Sequence, residues 1–477
     1  MRGGAVGERM ARSSRRPLVA GAVALALSGA VASAIGGVYH IVVVRMAGAE
    51  AIGLFQMAMP VYRLAAGAAS LGFNIAVVRL IANSLGRGRP DEARRHARTA
   101  LRAAAASGPA ACLLLWLVAS RLAVSLFREP RLIPAMTGLG LLLVPTNIGS
   151  VLAGIVQGFG GTPSLAWAGV VEAVVRVPTA LALVTLLAPW GTGAMAAGMI
   201  GGMIAGELGS LAALWRKARP LLGQGHPSRP ALPAGGQAYP TAPAETALLK
   251  LGIPLMVSGL LNSVVGLINT SLVPRQLQAA GLTQGAATQA FGQMAGMVTP
   301  LLHMPMLLVG PVLQVVIPAI AELTGSGRHD RVIRLLRKAF LLAGAAGIAA
   351  AALFTLAPAH IAQMLYGAPH IAPLIRPLAV AAPVLYIGMI AGGVLIGLGQ
   401  VGPVTVNVFA GNLTRTILIV ALASRPSWGI LGAIWALVAD HSVTAVLHIA
   451  CLGWFLTGSR AGSRPATRAN AGRRACP

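Results

Sequence analysis

The sequence predicts an all-α, polytopic membrane bundle of about twelve transmembrane helices, on three observations. The first is composition. The 477 residues are 56% hydrophobic and 10% charged, with mean hydropathy +0.76, where a soluble domain carries about 25% charged residues. The second is the recurrence, along the whole chain, of apolar runs near the ~20 residues a bilayer crossing needs. The third is an internal repeat. Residues 51–101 overlay residues 290–340 without a gap at an offset of 239, most clearly where Val77–Ala100 meets Val316–Ala339. Val77, Ile81, Ala82, Gly86, Gly88, Arg89, Asp91, Arg95, Arg98 and Ala100 recur as Val316, Ile320, Ala321, Gly325, Gly327, Arg328, Asp330, Arg334, Arg337 and Ala339. A membrane chain of two similar halves follows the plan of many transporters.

Twelve spans are expected, at 18–44, 51–84, 103–126, 132–158, 164–188, 191–214, 250–273, 290–322, 339–358, 371–398, 402–424 and 429–457. The first follows Arg9, Arg12, Arg15 and Arg16 and runs to Val44. That is too long for a signal-peptide core, so despite Ala32-Ser33-Ala34 it reads as uncleaved. In the second, Pro60 removes a backbone donor and predicts a kink. The third and ninth begin within basic helices that follow Gly-x-Gly turns. The fourth, seventh and tenth contain Pro145, Pro254 and Pro383, and the run Pro300, Pro305, Pro311, Pro318 predicts a bent eighth helix. The stretch 216–249 is rich in Pro, Gly and Ala and reads as a flexible linker. The organisation is then a basic tail (1–16), an N-lobe (17–215), the linker (216–249), a C-lobe (250–457) and a second basic tail (458–477). Six spans in each lobe give both halves the same orientation, with a pseudo-twofold along the membrane normal.

Charge sets the orientation. With the N-terminus in the cytoplasm, 26 of the 37 Lys and Arg fall in inside segments, six outside and five within spans. The bias satisfies the positive-inside rule and places both termini on the cytoplasmic side of the cell membrane. It also accounts for a net charge of +26 through attraction to anionic lipid headgroups rather than nucleic acid. Cys112 and Cys451 lie in apolar runs and read as packing residues; no metal-ligand spacing occurs. Without a P-loop, an HExxH or a nucleophile elbow, the chain reads as a non-enzyme with no metal and no cofactor.

Charge inside a span is costly and marks a pathway or site. Arg63, Arg79, Arg176, Arg376 and Arg415 are the cationic candidates; Glu172, Glu207 and Asp440 are the acidic ones, with Glu322 at the end of a span. Arg63 sits too deep for easy snorkelling and reads as cavity-facing. Arg176 and Glu172 share a helix face at i,i+4 spacing; a structural pair and a substrate site tuned by Glu172 both remain open. Arg79, near a span end, reads as an anchor or gate, and Glu207 as a further coupling candidate. Asp440 with His441 fits proton or cation coupling, and Asp440 paired with Arg415 fits equally well. His303 reads as a satisfied buried histidine.

The segment Val42–Ala82 carries Arg45, Gly48, Ala49, Glu50 and Gly53 as Arg-x-x-Gly-Ala-Glu-x-x-Gly, followed by Gln56, Pro60 and Arg63. It resembles the N-terminal signature of the multidrug/oligosaccharidyl-lipid/polysaccharide exporter superfamily. The likeness is to the polysaccharide-biosynthesis branch that includes stage V sporulation protein B, related to MurJ-type lipid flippases. The resemblance implies a MATE/MurJ-like two-lobe bundle with a central cavity. It also implies that Arg45 and Arg63 contact the pyrophosphate of a lipid carrier. The expected activity is movement of an undecaprenyl-pyrophosphate-linked sugar or peptidoglycan precursor by alternating access, for spore cortex or envelope polysaccharide. Expected partners are that lipid-linked sugar, anionic lipids and envelope glycan synthases. Substrate-binding candidates are Arg45, Arg63, Arg176, Glu172 and Arg415; coupling or gating candidates are Arg79, Asp440, His441 and Glu207. The competing expectation is a cation-coupled multidrug exporter of the same superfamily.

Overall fold

The computed structural model describes residues 3–223, 244–304, 316–317, 319–320 and 329–461. Most of the expected linker, the tail beyond 461, Pro305, Pro311, Pro318 and Glu322 lie outside them. Among the described residues all regular structure is helical. Contacts gather into two compact units, Met1–Leu267 and Ile268–Pro477.

The first unit contains α1 (Gly3–Ser70), α2 (Phe73–Gly86), α3 (Pro90–Arg121), α4 (Ile133–Gly158), α5 (Thr162–Leu187) and α6 (Thr192–Leu222). The helix α7 (Ala244–Ala279) begins in this unit and ends in the next. The second unit continues with α8 (Gln284–Gly292), which passes through a π-helical stretch into α9 (Thr299–His303). There follow α10 (His329–Leu356), α11 (Pro358–Tyr366), α12 (Ala372–Ile375), α13 (Leu378–Gly397), α14 (Val401–Leu418) and α15 (Gly429–Ala461).

Nine helices among the described residues are long and apolar enough to cross a membrane. One of them, Ala34–Gly86, has 53 residues. At about 1.5 Å per residue it extends ~80 Å, enough for two crossings. Gly48, at φ 76°, divides it. Large apolar side chains such as Leu117, Leu186, Ile348, Leu356 and Val406 are exposed. In water such a surface would drive aggregation; against lipid tails it costs nothing. The chain is a multi-pass membrane protein.

Pro60 does not break the second span. The helix passes through it with helical backbone angles, and the interruption falls at Leu71 (φ 47°) and Gly72 (φ 67°). The reason is a close approach. A Cβ on Gly72 would run into the backbone of Gly252 in α7, and one on Gly252 into Leu71.

The repeat extends well beyond the stretch that sequence identity reveals. With the same offset of 239, the start of α3 at Pro90 maps to the start of α10 at His329. The 3-10 turn Pro130–Leu132 maps to Pro369–Ile371, the end of α4 at Gly158 to the end of α13 at Gly397, and the start of α5 to the start of α14. Left-handed residues recur in register too: Arg128 (φ 53°) with Gly367 (φ 67°), and Gly160 (φ 89°) with Gly399 (φ 77°). Turns and helix ends keep this register although most side chains between them differ.

Close packing within the first unit depends on small residues. Gly198, Gly202 and Gly206 lie one turn apart on α6 and face α5. A Cβ on Gly202 would sit 2.6 Å from the Ala180 Cα, and one on Gly206 would sit 2.8 Å from the Arg176 Cβ. Such a stripe lets two transmembrane backbones approach closely, and it brings the charged segment of α5 against α6.

Candidate functional site

In the first unit this packing assembles a polar cluster inside apolar surroundings. Arg176 NH1 donates to Glu172 Oε1 at 2.8 Å on the same helix, with both side chains about a quarter exposed. Glu207, from α6, lies within reach of both charges. Its carboxylate is also hydrogen-bonded to Thr146 of α4, and Thr146 Oγ1 accepts from the Tyr62 hydroxyl of α1 at 3.0 Å. Tyr39 feels the charge of Arg176. Glu172 closes on the guanidinium, and Glu207 adds a second carboxylate within electrostatic range of it. The surplus negative charge suits a proton or a cation, since an unpaired carboxylate away from water is expensive.

Thr146 also lines a cavity of about 340 Å³ in the same unit, at the Leu71–Gly72 break. Ser70, Asn74, Asn147, Ser150 and Ser263 give it hydroxyl and amide groups, and none of the described residues that line it is charged. Asn147 Nδ2 donates to the carbonyls of Ala69 and Ala104 and to Ser107 Oγ. These bonds satisfy a backbone group at the broken end of α1.

The remaining cationic candidates of this unit stand apart from the cluster. Arg63 and Arg79 are exposed on α1 and α2 and have no hydrogen-bond or ion-pair partner among the described residues. Arg45 is exposed just before the Gly48 break. Glu50 of the same signature is held by Arg131 at 2.6 Å.

In the second unit, Arg415 of α14 faces Asp440 of α15 at 4.0 Å, so the pairing left open by spacing is present but loose. Asp440 is hydrogen-bonded to Thr444. His441 is next to Asp440 and stands edge-on to His303, with ring centroids 6.4 Å apart. His303 is exposed rather than buried; its Nδ1 lies 2.9 Å from the Thr299 carbonyl oxygen. It is the last residue of the short helix α9, and its ring lies at the surface of the unit. Asn269 Oδ1 accepts from Thr416 Oγ1 at 2.6 Å, beside Arg415 in sequence. Cys112 and Cys451 are buried, as their apolar contexts predict.

The geometry thus joins Glu172, Arg176 and Glu207 in one unit and Arg415, Asp440 and His441 in the other. It adds Tyr39, Tyr62, Thr146, Asn269 and Thr416, which sequence reasoning missed. A Tyr or Thr in an apolar run carries no signal of its own, because only its neighbours on other helices make it polar.

Long apolar helices, charge within the spans and two halves in a common register define a multi-pass helical membrane protein built on a repeat, a plan many transporters share. Solved structures share the fold. The fold matches an inward-facing multidrug resistance MATE family transporter of the MOP superfamily with a TM-score of 0.71 at 14% identity, covering 90% of this chain and 96% of that one. It also matches a MOP superfamily transporter from Pyrococcus furiosus, whose binding pocket is described as having reverse polarity, with a TM-score of 0.58 at 16% identity over 92% and 96% of the chains. In sequence, the chain is 27% identical over 442 residues to the stage V sporulation protein B of Bacillus subtilis, covering 92% of this chain and 84% of that one. Residues 18–324 match the polysaccharide biosynthesis protein family. The chain belongs to that family.

Proposed function

We propose that the protein is a flippase that moves an undecaprenyl-pyrophosphate-linked sugar across the cytoplasmic membrane by alternating access. The observation that supports this best is Arg63. It lies roughly 22 Å along the helix beyond the Gly48 break, at about 1.5 Å per residue, and no described residue neutralises it. A guanidinium at membrane depth costs about 3 kcal/mol or more, and its planar fork suits bidentate binding of phosphate oxygens. Arg45, Arg176 and Arg415 supply further positive charge for such a headgroup, with Arg79 as a gate. Both termini are cytoplasmic in this reading, and the basic segments rest on anionic lipid. Glycan synthases supply or consume the carried sugar, and the likeness to a sporulation protein fits cortex precursor as cargo.

The test is translocation of a fluorescent prenyl-pyrophosphate sugar in liposomes. Arg63→Ala is expected to slow flipping at least tenfold while the protein stays folded. Equal rates for the two proteins reject the reading.

A second reading is favoured by the surplus carboxylate around Arg176: a cation-coupled multidrug exporter with Glu207, Asp440 and His441 in coupling. It predicts that expressing cells exclude an organic-cation dye and that Glu207→Gln restores dye uptake. Unchanged dye content in expressing cells removes it.

A further inference from the structure

The common register pairs two residues that nothing in their local sequence connects. Arg415 follows Arg176 by the same 239 positions that relate the helix ends. The guanidinium has been kept in both halves, but its counter-charge has not. The position of Glu172 is occupied in the second half by Gly411 and that of Glu207 by Val446, while Asp440 falls on the position of Gly201.

The consequences differ. Arg176 is closed on Glu172 at 2.8 Å, with Glu207 close by. Arg415 has Asp440 at 4.0 Å, beyond the roughly 2.7–2.9 Å of a charge-assisted hydrogen bond. Asp440 stays bonded to Thr444 on its own helix. Gly411 lets α14 lie against it; a Cβ there would sit 2.6 Å from Asp440 Oδ1. The Nε of Arg415 and the Nε2 of His441 are both buried without a partner, and His441 lies within range of the charge of Arg415. The Arg176 Nε is unpartnered too, but Arg176 has Glu172 at 2.8 Å and the charge of Glu207 in range, whereas among the described residues Arg415 has Asp440 alone. The Arg415 side chain is 24% exposed and that of Asp440 11%, so the guanidinium side chain is the more accessible of the two. Buried donors without acceptors beside an open guanidinium fit phosphoryl oxygens.

We propose that Arg415, with His441 in the tautomer protonated at Nε2, forms an anion site for a phosphate or pyrophosphate group, and that Asp440 is its internal competitor. In the unliganded protein Asp440 holds the guanidinium loosely. An arriving phosphate replaces it, and Asp440 keeps its bond to Thr444. The choice of pyrophosphate as ligand rests on the flippase reading; the site itself does not.

Calorimetric titration of the full-length protein in phosphatidylcholine nanodiscs tests this, with farnesyl pyrophosphate and inorganic pyrophosphate as probes. Arg415→Gln is expected to weaken binding at least tenfold, with partial recovery in Arg415→Lys. Asp440→Asn is expected to tighten it threefold or more. Arg425→Gln, which removes an exposed charge beyond the end of α14, leaves it unchanged. The same ranking with inorganic pyrophosphate assigns the phosphate group as sufficient; the ranking with the farnesyl probe alone assigns a lipid-borne headgroup. Thermal melting identifies an Arg415→Gln protein that fails to fold, in which case Arg415→Lys and Asp440→Asn decide. Wild-type affinity in the folded Arg415→Gln protein, weaker binding in Asp440→Asn, or no binding of either probe by the wild type overturns the proposal. Failure here with prenyl-sugar flipping intact leaves the flippase reading standing. Pyrophosphate binding with the expected ranking but no flipping removes that reading and keeps the site.

Discussion

Arg131 holds Glu50 across the first unit, donating from NH1 to Oε1 at 2.6 Å. Its Nε and NH2 meanwhile close on the two carboxylate oxygens of Glu129 at 2.8 and 2.9 Å. Glu129 is 1% exposed, so one guanidinium neutralises a buried carboxylate and pins the helix that follows Gly48. The acidic residue of the Arg-x-x-Gly-Ala-Glu signature is in this geometry a structural anchor.

Removing that anchor takes from buried Glu129 the guanidinium that closes on both of its oxygens. Arg131→Ala is expected to destabilise the protein by about 2 kcal/mol, less than for a fully buried pair because Arg131 is partly exposed. Arg131→Lys recovers only part of this, since an ammonium cannot form the fork. Thermal unfolding in detergent measures both. A melting temperature unchanged in Arg131→Ala would show that the network contributes nothing.

The contact between α5 and α6 leaves no room at Gly202, where an added Cβ would press on the backbone of Ala180. Gly202→Val is expected to cost about 3 kcal/mol through overpacking and to move Glu207 away from Arg176. Gly191, in the turn before α6, has open space on its Cβ side but takes a φ of 91°, so Gly169, open and helical on α5, is the better control. Gly169→Ala should leave stability within about 0.5 kcal/mol of wild type or slightly higher. Equal losses at Gly169 and Gly202 would argue against the close approach.

Arg176 pairs with Glu172 and lies within the field of Glu207. Arg176→Gln is expected to destabilise by about 2 kcal/mol, as it leaves Glu172 and Glu207 facing each other without a cation. In the double variant Arg176→Gln, Glu172→Gln at least half of that loss should return. The coupling energy from the double-mutant cycle is the readout. Strict additivity of the two single effects would mean that the 2.8 Å contact carries no net interaction.

Much of the architecture was legible in the sequence. Apolar runs of bilayer length leave helix as the main way to satisfy backbone groups in lipid. The pair Glu172–Arg176 was legible as well, because four residues of helix bring two side chains onto one face whatever surrounds them. Tyr62, Thr146 and Glu207 were not, since they come from three helices and meet only after packing. Pro60 predicts a kink, and the helix keeps helical backbone angles through it; a helix tolerates a proline when its neighbours accommodate the lost bond. The break lies at Gly72 instead, where the backbone of Gly252 excludes any side chain. The structural role of Glu50 was likewise hidden, because its partner Arg131 lies 81 positions away.

The amino-acid order by itself determined the membrane-spanning helices, the basic surfaces beside them and the start of a 239-residue repeat. These follow from hydropathy and local spacing, which each segment expresses without reference to the rest. Which carboxylate meets which guanidinium was decided only in three dimensions. Glu172 answers Arg176 from its own helix, while Asp440 answers Arg415 from a neighbouring one. The physical reason is that helix separation and rotation are set by small residues such as Gly206 and Gly411 at the contacts. The approach these glycines allow leaves Arg176 closed on its partner at 2.8 Å and Arg415 standing off from its own at 4.0 Å.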